Sequence, residues 1–229
     1  MSLDGIMASM DLTALLRLQQ FADSALPVGG AAHSFGLESL VEWGMLDADG
    51  VQQVLLDYVE ETGAIEAAYC ARSSELAGGA DLEAWIALNQ ELGARKLARE
   101  SRDASAAMGR RFLNLAAHAT RIELIERASE STSETHLAAS FGLTAGALDI
   151  DAKSAAAAYL QQSATALVSC CQRLLPLGQT RAHQILWDIK PAIVRIAQAA
   201  QLSQLSCFTP LLDVASGRHP LLHTRLFMS

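Results

Sequence analysis

At 229 residues the chain is long enough to bury one full hydrophobic core, and with 51% hydrophobic and 18% charged residues it reads as a folded chain and not a disordered one. A formal net charge of −8 and a pI near 5.2 set nucleic acid aside as the principal partner, because phosphate binding needs a concentrated positive field; a basic partner surface fits better. Cys70, Cys170, Cys171 and Cys207 contain no CxxC pair and read as small buried apolar residues of a reducing cytosol, while the acidic start and the lack of any long apolar run predict a cytoplasmic protein that is neither secreted nor membrane-spanning.

In chain order, residues 1–9 read as a disordered N-terminus, 10–206 as one all-helical domain and 207–229 as a tail. Leu12, Leu15, Leu16 and Phe21 suggest a first helix that ends near Asp23, because Pro27 removes a donor and fixes φ. Gly29-Gly30 then allow a tight turn, and Ser34 is placed to cap a helix carrying Leu37, Leu40 and Val41. A stripe from Val51 to Ile65 predicts one long helix over about 50–76, closed by Gly78-Gly79-Ala80. Asp81 caps the next, with Leu82, Trp85, Ile86 and Asn89 facing inward up to about Gly93. The stripe Leu97, Ser101, Ala104, Met108, Phe112, Leu115 predicts a helix over about 94–118.

Ser129–Glu134 reads as a polar connector and 136–148 as a buried helix with Gly142 and Gly146 in it. Asp151 or Ser154 caps a long helix carrying Leu160, Ala164, Leu167, Cys171 and Leu174, ended by Pro176-Leu177-Gly178-Gln179. The pattern 180–200 should break at Lys190, before Pro191. No stretch alternates with period two, so the fold class is all-α, a single-domain bundle of roughly eight to ten helices. Past Ser206 the periodicity fades; a segment of that length is marginal alone and is expected to order against a partner.

Few motifs carry chemistry. Gly29-Gly30 lacks the Gly-Lys-Ser/Thr of a phosphate loop, and Ser24, Ser34 and Ser101 sit in no nucleophile elbow. His219 and His223 have helical i,i+4 spacing, with Cys207 upstream; they read either as polar residues of an exposed tail or as ligands of a nickel-binding helical protein. Arg95, Arg99 and Arg102 fall on one face of the 94–118 helix, with Arg110 and Arg111 further on. They form either a ridge for carboxylates or phosphates or a solvated face laced with ion pairs. The tight apolar loop 24–38 is open to a packing reading and to a binding one. A helical enzyme whose site the residues do not reveal stays a third alternative.

Four segments carry a family resemblance. Asp23-Ser-Ala-Leu-Pro-Val-Gly29 with His33-Ser-Phe-Gly-Leu-Glu38 resembles the signature of the urease accessory protein F (UreF) family. Arg99–Ser105 with Gly109-Arg110-Arg111 resembles its arginine-rich central helix, Leu174–Thr180 its helix-turn-helix junction, and Pro210–Ser229 its C-terminal tail. The order is the family's, from about Leu12 to the end. Ala31 stands where many relatives have an aromatic residue, and Pro220 and His223 where they have a glutamate and a glutamine.

The resemblance implies an all-α, homodimeric, cytoplasmic urease assembly factor that is not an enzyme and needs no cofactor, metal or catalytic residue of its own. Its implied partners are a UreD/UreH-type scaffold, the UreG GTPase and apo-urease, with nickel delivered in a GTP-dependent step. The implied partner-binding residues are Pro27, Gly29, His33, Ser34, Gly36 and Glu38 in the opening stretch. Arg99, Arg102 and Arg110 follow on the central helix, then Arg218, His219, Arg225, Leu226 and Phe227 in the tail.

Overall fold

The computed structural model describes residues 11–202 and 206–228, so the expected disordered start, residues 1–9, lies outside the described residues. Helix α1, Leu12–Phe21, begins where the Asp11 carboxylate accepts the Ala14 N–H. It buries Ala14, Leu18 and Phe21, and so presents Leu12, Leu15 and Leu16 to solvent. A 3₁₀ turn, Gly30–Ala32, leads to the short α2, Leu37–Glu42. The expected Ser34 cap is not made: Ser34 is buried, and Gly36 at φ 90° starts the helix.

The long helix expected over 50–76 is two, α3 (Val51–Glu60) and α4 (Thr62–Gly78), broken at Glu61 where ψ falls to −89°. Their apolar stripe runs through the break, which is why periodicity alone joined them. Helix α5, Leu82–Arg95, is capped by Asp81 as its sequence predicts. An extended Lys96-Leu97-Ala98 step separates it from α6, Arg99–Thr120; Leu97 is therefore exposed, and Arg95 belongs to a different helix from Arg99 and Arg102. A further helix unseen in the periodicity, α7 (Glu123–Glu130), takes in the first two residues of the expected connector, which starts instead at Ser131.

Helix α8, Leu137–Ala147, is the buried centre, with residues 137–145 all hidden. Its glycines explain how: a Cβ on Gly142 would collide with the Cys70 carbonyl oxygen and one on Gly146 with that of Ser74, so α8 lies backbone to backbone against α4. Helix α9, Ala152–Leu174, starts at Asp151, whose carboxylate accepts the N–H groups of Lys153 and Ser154. Helices α10 (Gln179–Asp188) and α11 (Lys190–Gln198) meet at Ile189, with Pro191 in the first turn of α11.

The tail departs most from expectation. Pro210–Arg218 form α12, followed by a 3₁₀ turn at His219–Leu221, and both pack on the body. One part of the core runs through a chain of tilted and edge-on ring contacts from Phe21 to Phe112 of α6, Phe141 of α8 and Tyr159. The other joins α2, α3, α9, α10 and α11 and includes Ala215 and Phe227 of the tail. Cys70, Cys170 and Cys171 are buried as their type suggests, whereas Cys207 is exposed.

Candidate functional site

The opening stretch and the tail form one site. Gly29 and Gly36 both sit at φ 90°, where a side chain is strained, and both face something. The Arg111 guanidinium fills the space where a Gly29 Cβ would stand and donates to the Val28 carbonyl oxygen at 3.3 Å. A Cβ on Gly36 would lie 3.0 Å from the Ser216 nitrogen and 3.1 Å from the Leu212 carbonyl oxygen. The glycine lets α12 settle on the loop.

Glu38 is the hub. Glu38, in the first turn of α2, is 7% exposed, and its carboxylate accepts from His219 Nε2 at 2.6 Å, from the Leu226 N–H at 2.6 Å and from the Phe227 N–H at 3.3 Å. A buried charge is tolerated when hydrogen bonds of this kind replace water, and here they come from 181 to 189 residues away. Ser39 Oγ donates to the Ala215 carbonyl at 2.8 Å, Ser101 and Ser216 hydroxyls meet at 2.8 Å, and the Met228 N–H reaches the Ala32 carbonyl at 2.7 Å. The Phe227 ring is buried under the Arg173 guanidinium, 4.3 Å from the ring centroid. Beside this hub, burial, then the charges of Arg111 and His219, push the His33 imidazole below its usual pKa.

The sequence-predicted residues thus divide. His33, Ser34, Gly36, Glu38, His219 and Phe227 are buried; Gly36 and Glu38 hold the tail through Ser216, His219, Leu226 and Phe227, and Gly29 seats Arg111. Pro27, Arg218, Arg225 and Leu226 are exposed, with Leu211, Val214, Leu221 and Met228 adding outward apolar surface along the tail. On α6, Arg99 is 80% exposed beside Asp103, and Arg102 donates to the Lys96 carbonyl at 3.3 Å. Arg110 turns inward, donating to the carbonyls of Ser129, Ser131 and Ser133, and so binds the connector ahead of α8. The His219–His223 pairing is not a ligand pair here: His219 is engaged with Glu38 and His223 is exposed beyond the end of the 3₁₀ turn. Among the described residues no group of three His, Cys, Asp or Glu side chains is arranged to hold a metal ion. No described helix is long and apolar enough to cross a membrane.

Sequence reasoning missed a polar cluster altogether. Glu66 of α4 is buried, paired with Lys96, and accepts from Tyr58 at 3.1 Å and Tyr159 at 2.8 Å. Burial alone would raise the Glu66 carboxyl; the Lys96 ammonium and its hydrogen bond, with those of the tyrosines, outweigh it and hold Glu66 below its ordinary value. Tyr58 and Tyr159 are pushed up, first by burial and then by Glu66. The only trace in the sequence is a lone carboxylate in the run Ile65-Glu66-Ala67-Ala68. The cluster lies at a cleft of about 180 Å³ that is also walled by the opening stretch (Val28, Gly30, Phe35) and the tail (Thr209, Leu212, Asp213).

A model of the UreF family matches residues 45–190, which spans most of the helical body. Over nearly the whole chain there is similarity to proteins described as urease accessory protein UreF. That of Nostoc sp. is 34% identical over 96% of this chain and all of its own length. Those of Actinobacillus pleuropneumoniae and Bacillus sp. (strain TB-90) are each 30% identical, over 95% and 94% of this chain and 99% of their own.

Proposed function

The chain belongs to the UreF family of urease accessory proteins, and on that footing we propose that it is a non-catalytic, homodimeric adaptor of urease maturation. It joins a UreD/UreH-type scaffold to the UreG GTPase in the cytoplasm, so that nickel passes to apo-urease in a GTP-dependent step. The observation that carries this reading is the Glu38 hub. It spends a buried carboxylate, two backbone N–H groups and an imidazole on fastening the last residues of the chain to the opening loop. The surface left outside presents Arg218, Leu221, Arg225 and Leu226 of the tail. Arginine and apolar side chains on a pre-ordered frame suit a protein interface, because less conformational entropy is lost when the partner binds.

In this reading the buried motif residues act through that frame and the exposed ones touch the partner. Arg99, exposed at the start of α6, then meets the GTPase with the half-buried Arg102 beside it, while Arg110 supports the connector. Holding one GTPase conformation against a scaffold needs differential binding only, and no acid, base or metal from this chain. The test is co-expression with the scaffold and the GTPase, followed by affinity purification. The wild-type chain should retain both partners, and Arg225→Glu with Leu226→Asp should lose at least one of them while keeping its helical circular dichroism. Retention of both partners by the double variant, or of neither by the wild type, would overturn the reading.

A further inference from the structure

The turn that joins the opening loop to α2 is strained, and α12 sits on it. Phe35 is at φ 51° and Gly36 at φ 90°, and the Leu37 N–H donates to the Ser34 carbonyl oxygen at 3.1 Å across them. Two successive residues at positive φ make a turn of the mirror-image type, whose first central position favours glycine, asparagine or aspartate. A phenylalanine there crowds its Cβ against the following carbonyl oxygen. Among the described residues Ala80, Arg121 and Asp149 also have positive φ, but each stands at or just past the end of a helix, where a left-handed residue closes the last turn. Phe35 ends no helix. Ser34 beside it carries a second cost, a fully buried hydroxyl with no hydrogen-bond partner among the described residues.

Strain of this kind persists only where the surroundings over-determine the conformation. Here α12 does so. The Ser216 nitrogen and the Leu212 carbonyl oxygen lie 3.0 and 3.1 Å from where a Gly36 Cβ would stand, and the Ser39 hydroxyl next in line donates to the Ala215 carbonyl. Phe35 and Leu212 both border the cleft of about 180 Å³ at the Glu66 cluster and a smaller pocket of about 20 Å³ that reaches Val54, Leu55 and Cys171. With Tyr58 and Leu167, which also border both, they form the wall between the two spaces. Nine residues are too few to hold a helix alone in water, so α12 keeps its form only while it is docked.

We propose that the Ser34–Leu37 turn is a two-state switch set by α12: docked, α12 holds Phe35 in the left-handed conformation, and when α12 lifts the turn relaxes and the Phe35 ring leaves the wall between the two cavities. Lifting also opens the buried Ser34 hydroxyl to water, so both costs of the docked loop are relieved in one step. Docking of the tail is thereby coupled to the shape of the cleft. That a partner throws the switch by taking hold of the tail rests on the adaptor role; the isolated protein tests the switch without it.

The test is amide hydrogen exchange of the isolated full-length protein, read by ¹⁵N NMR at Ala215 and Ser216 of α12 and at Leu226 and Phe227. Phe35→Ala and Phe35→Gly both remove the ring and differ in what the left-handed conformation costs. At an unstrained site glycine is the worse of the two, because it gains more freedom when the loop is released; at position 35 the order should reverse. The four amides should exchange about fivefold more slowly in Phe35→Gly than in Phe35→Ala, about 1 kcal/mol in the docking equilibrium, and urea denaturation should show the same difference. A difference in urea with none in exchange would mean that the turn stays strained after α12 lifts, and glycine exchanging as fast or faster would mean that it is not strained; either overturns the switch. Exchange of the Ala215 and Ser216 amides only through global unfolding overturns it too, since α12 then does not lift by itself. Should loss of the ring leave both variants exchanging like an unfolded peptide, the comparison is repeated in trimethylamine oxide, which favours the docked state of both alike, and glycine must be the slower there.

Discussion

Removing the Glu38 carboxylate, as Glu38→Ala, should release the tail without unfolding the body. The substitution strips the acceptor from the N–H groups of Leu226 and Phe227 and from His219 Nε2. Each donor left buried and unpaired costs about 1–3 kcal/mol, which would sum to several kcal/mol if all three stayed dry. They need not. The tail can lift into water, so the penalty is capped by whatever else holds it: burial of the Phe227 side chain, about 1.5–3 kcal/mol, and the Ser39–Ala215 and Met228–Ala32 hydrogen bonds, about 1 kcal/mol each. The expected loss is about 2 kcal/mol of docking free energy, which raises the undocked fraction about thirtyfold. Trypsin reads this directly, because Arg218 and Arg225 lie within the released segment. Cleavage at those two sites should accelerate by about that factor while the melting transition of the helical body shifts by only a few degrees. If Glu38→Ala is cut at the same rate as the wild type, the carboxylate is not what fastens the tail. If it loses its helical signal altogether, the tail is part of the global folding unit and the local account fails.

Gly142→Ala should destabilise the protein by about 3 kcal/mol or more in urea denaturation, since the added methyl meets the Cys70 carbonyl and the whole α4–α8 contact must part. Gly178→Ala, where a methyl meets open space, is the matching control and should be nearly neutral. The His136 imidazole is pushed down to about 4, chiefly by burial and then by the charge of Lys96. An unfolded histidine near 6.5 binds protons more readily than the native one, so this group's contribution is full above pH 6.5 and is lost as pH falls toward 4, about 3 kcal/mol in all. His136→Gln should flatten the pH dependence of unfolding free energy across that window; an unchanged slope would place the proton elsewhere. Lys96→Met should cost about 3 kcal/mol in chemical denaturation by leaving Glu66 buried beside two tyrosines, and Lys96→Met with Glu66→Leu should recover part of the loss. A double variant worse than the single one would mean that the pair stabilises the fold outright.

The secondary structure was legible in the sequence wherever the cause of an element is local. Asp81 and Asp151 cap their helices because a short carboxylate reaches N–H groups two or three residues on; Pro191 splits α10 from α11 because its ring has no donor. Alanine and leucine at period 3.6, with sparse β-branched residues, give an all-α chain with no reference to what it packs on. Which side of a stripe turns inward is another matter. Leu12, Leu15 and Leu16 have the period of a core face and are exposed, because α1 meets the body through Ala14, Leu18 and Phe21. Glu38 looks like any first-turn carboxylate until His219, Leu226 and Phe227 arrive from the far end of the chain. Arg110 looks like one more surface arginine until the Ser129–Ser133 carbonyls surround it, and Glu66 is one charge among apolar neighbours until Lys96, Tyr58 and Tyr159 close on it. Helix propensity and capping act over three or four residues and are written into neighbouring positions. Burial of a charge depends on donors from 8 to 189 positions away, and only the packing of the helices and the tail brings those within hydrogen-bond reach.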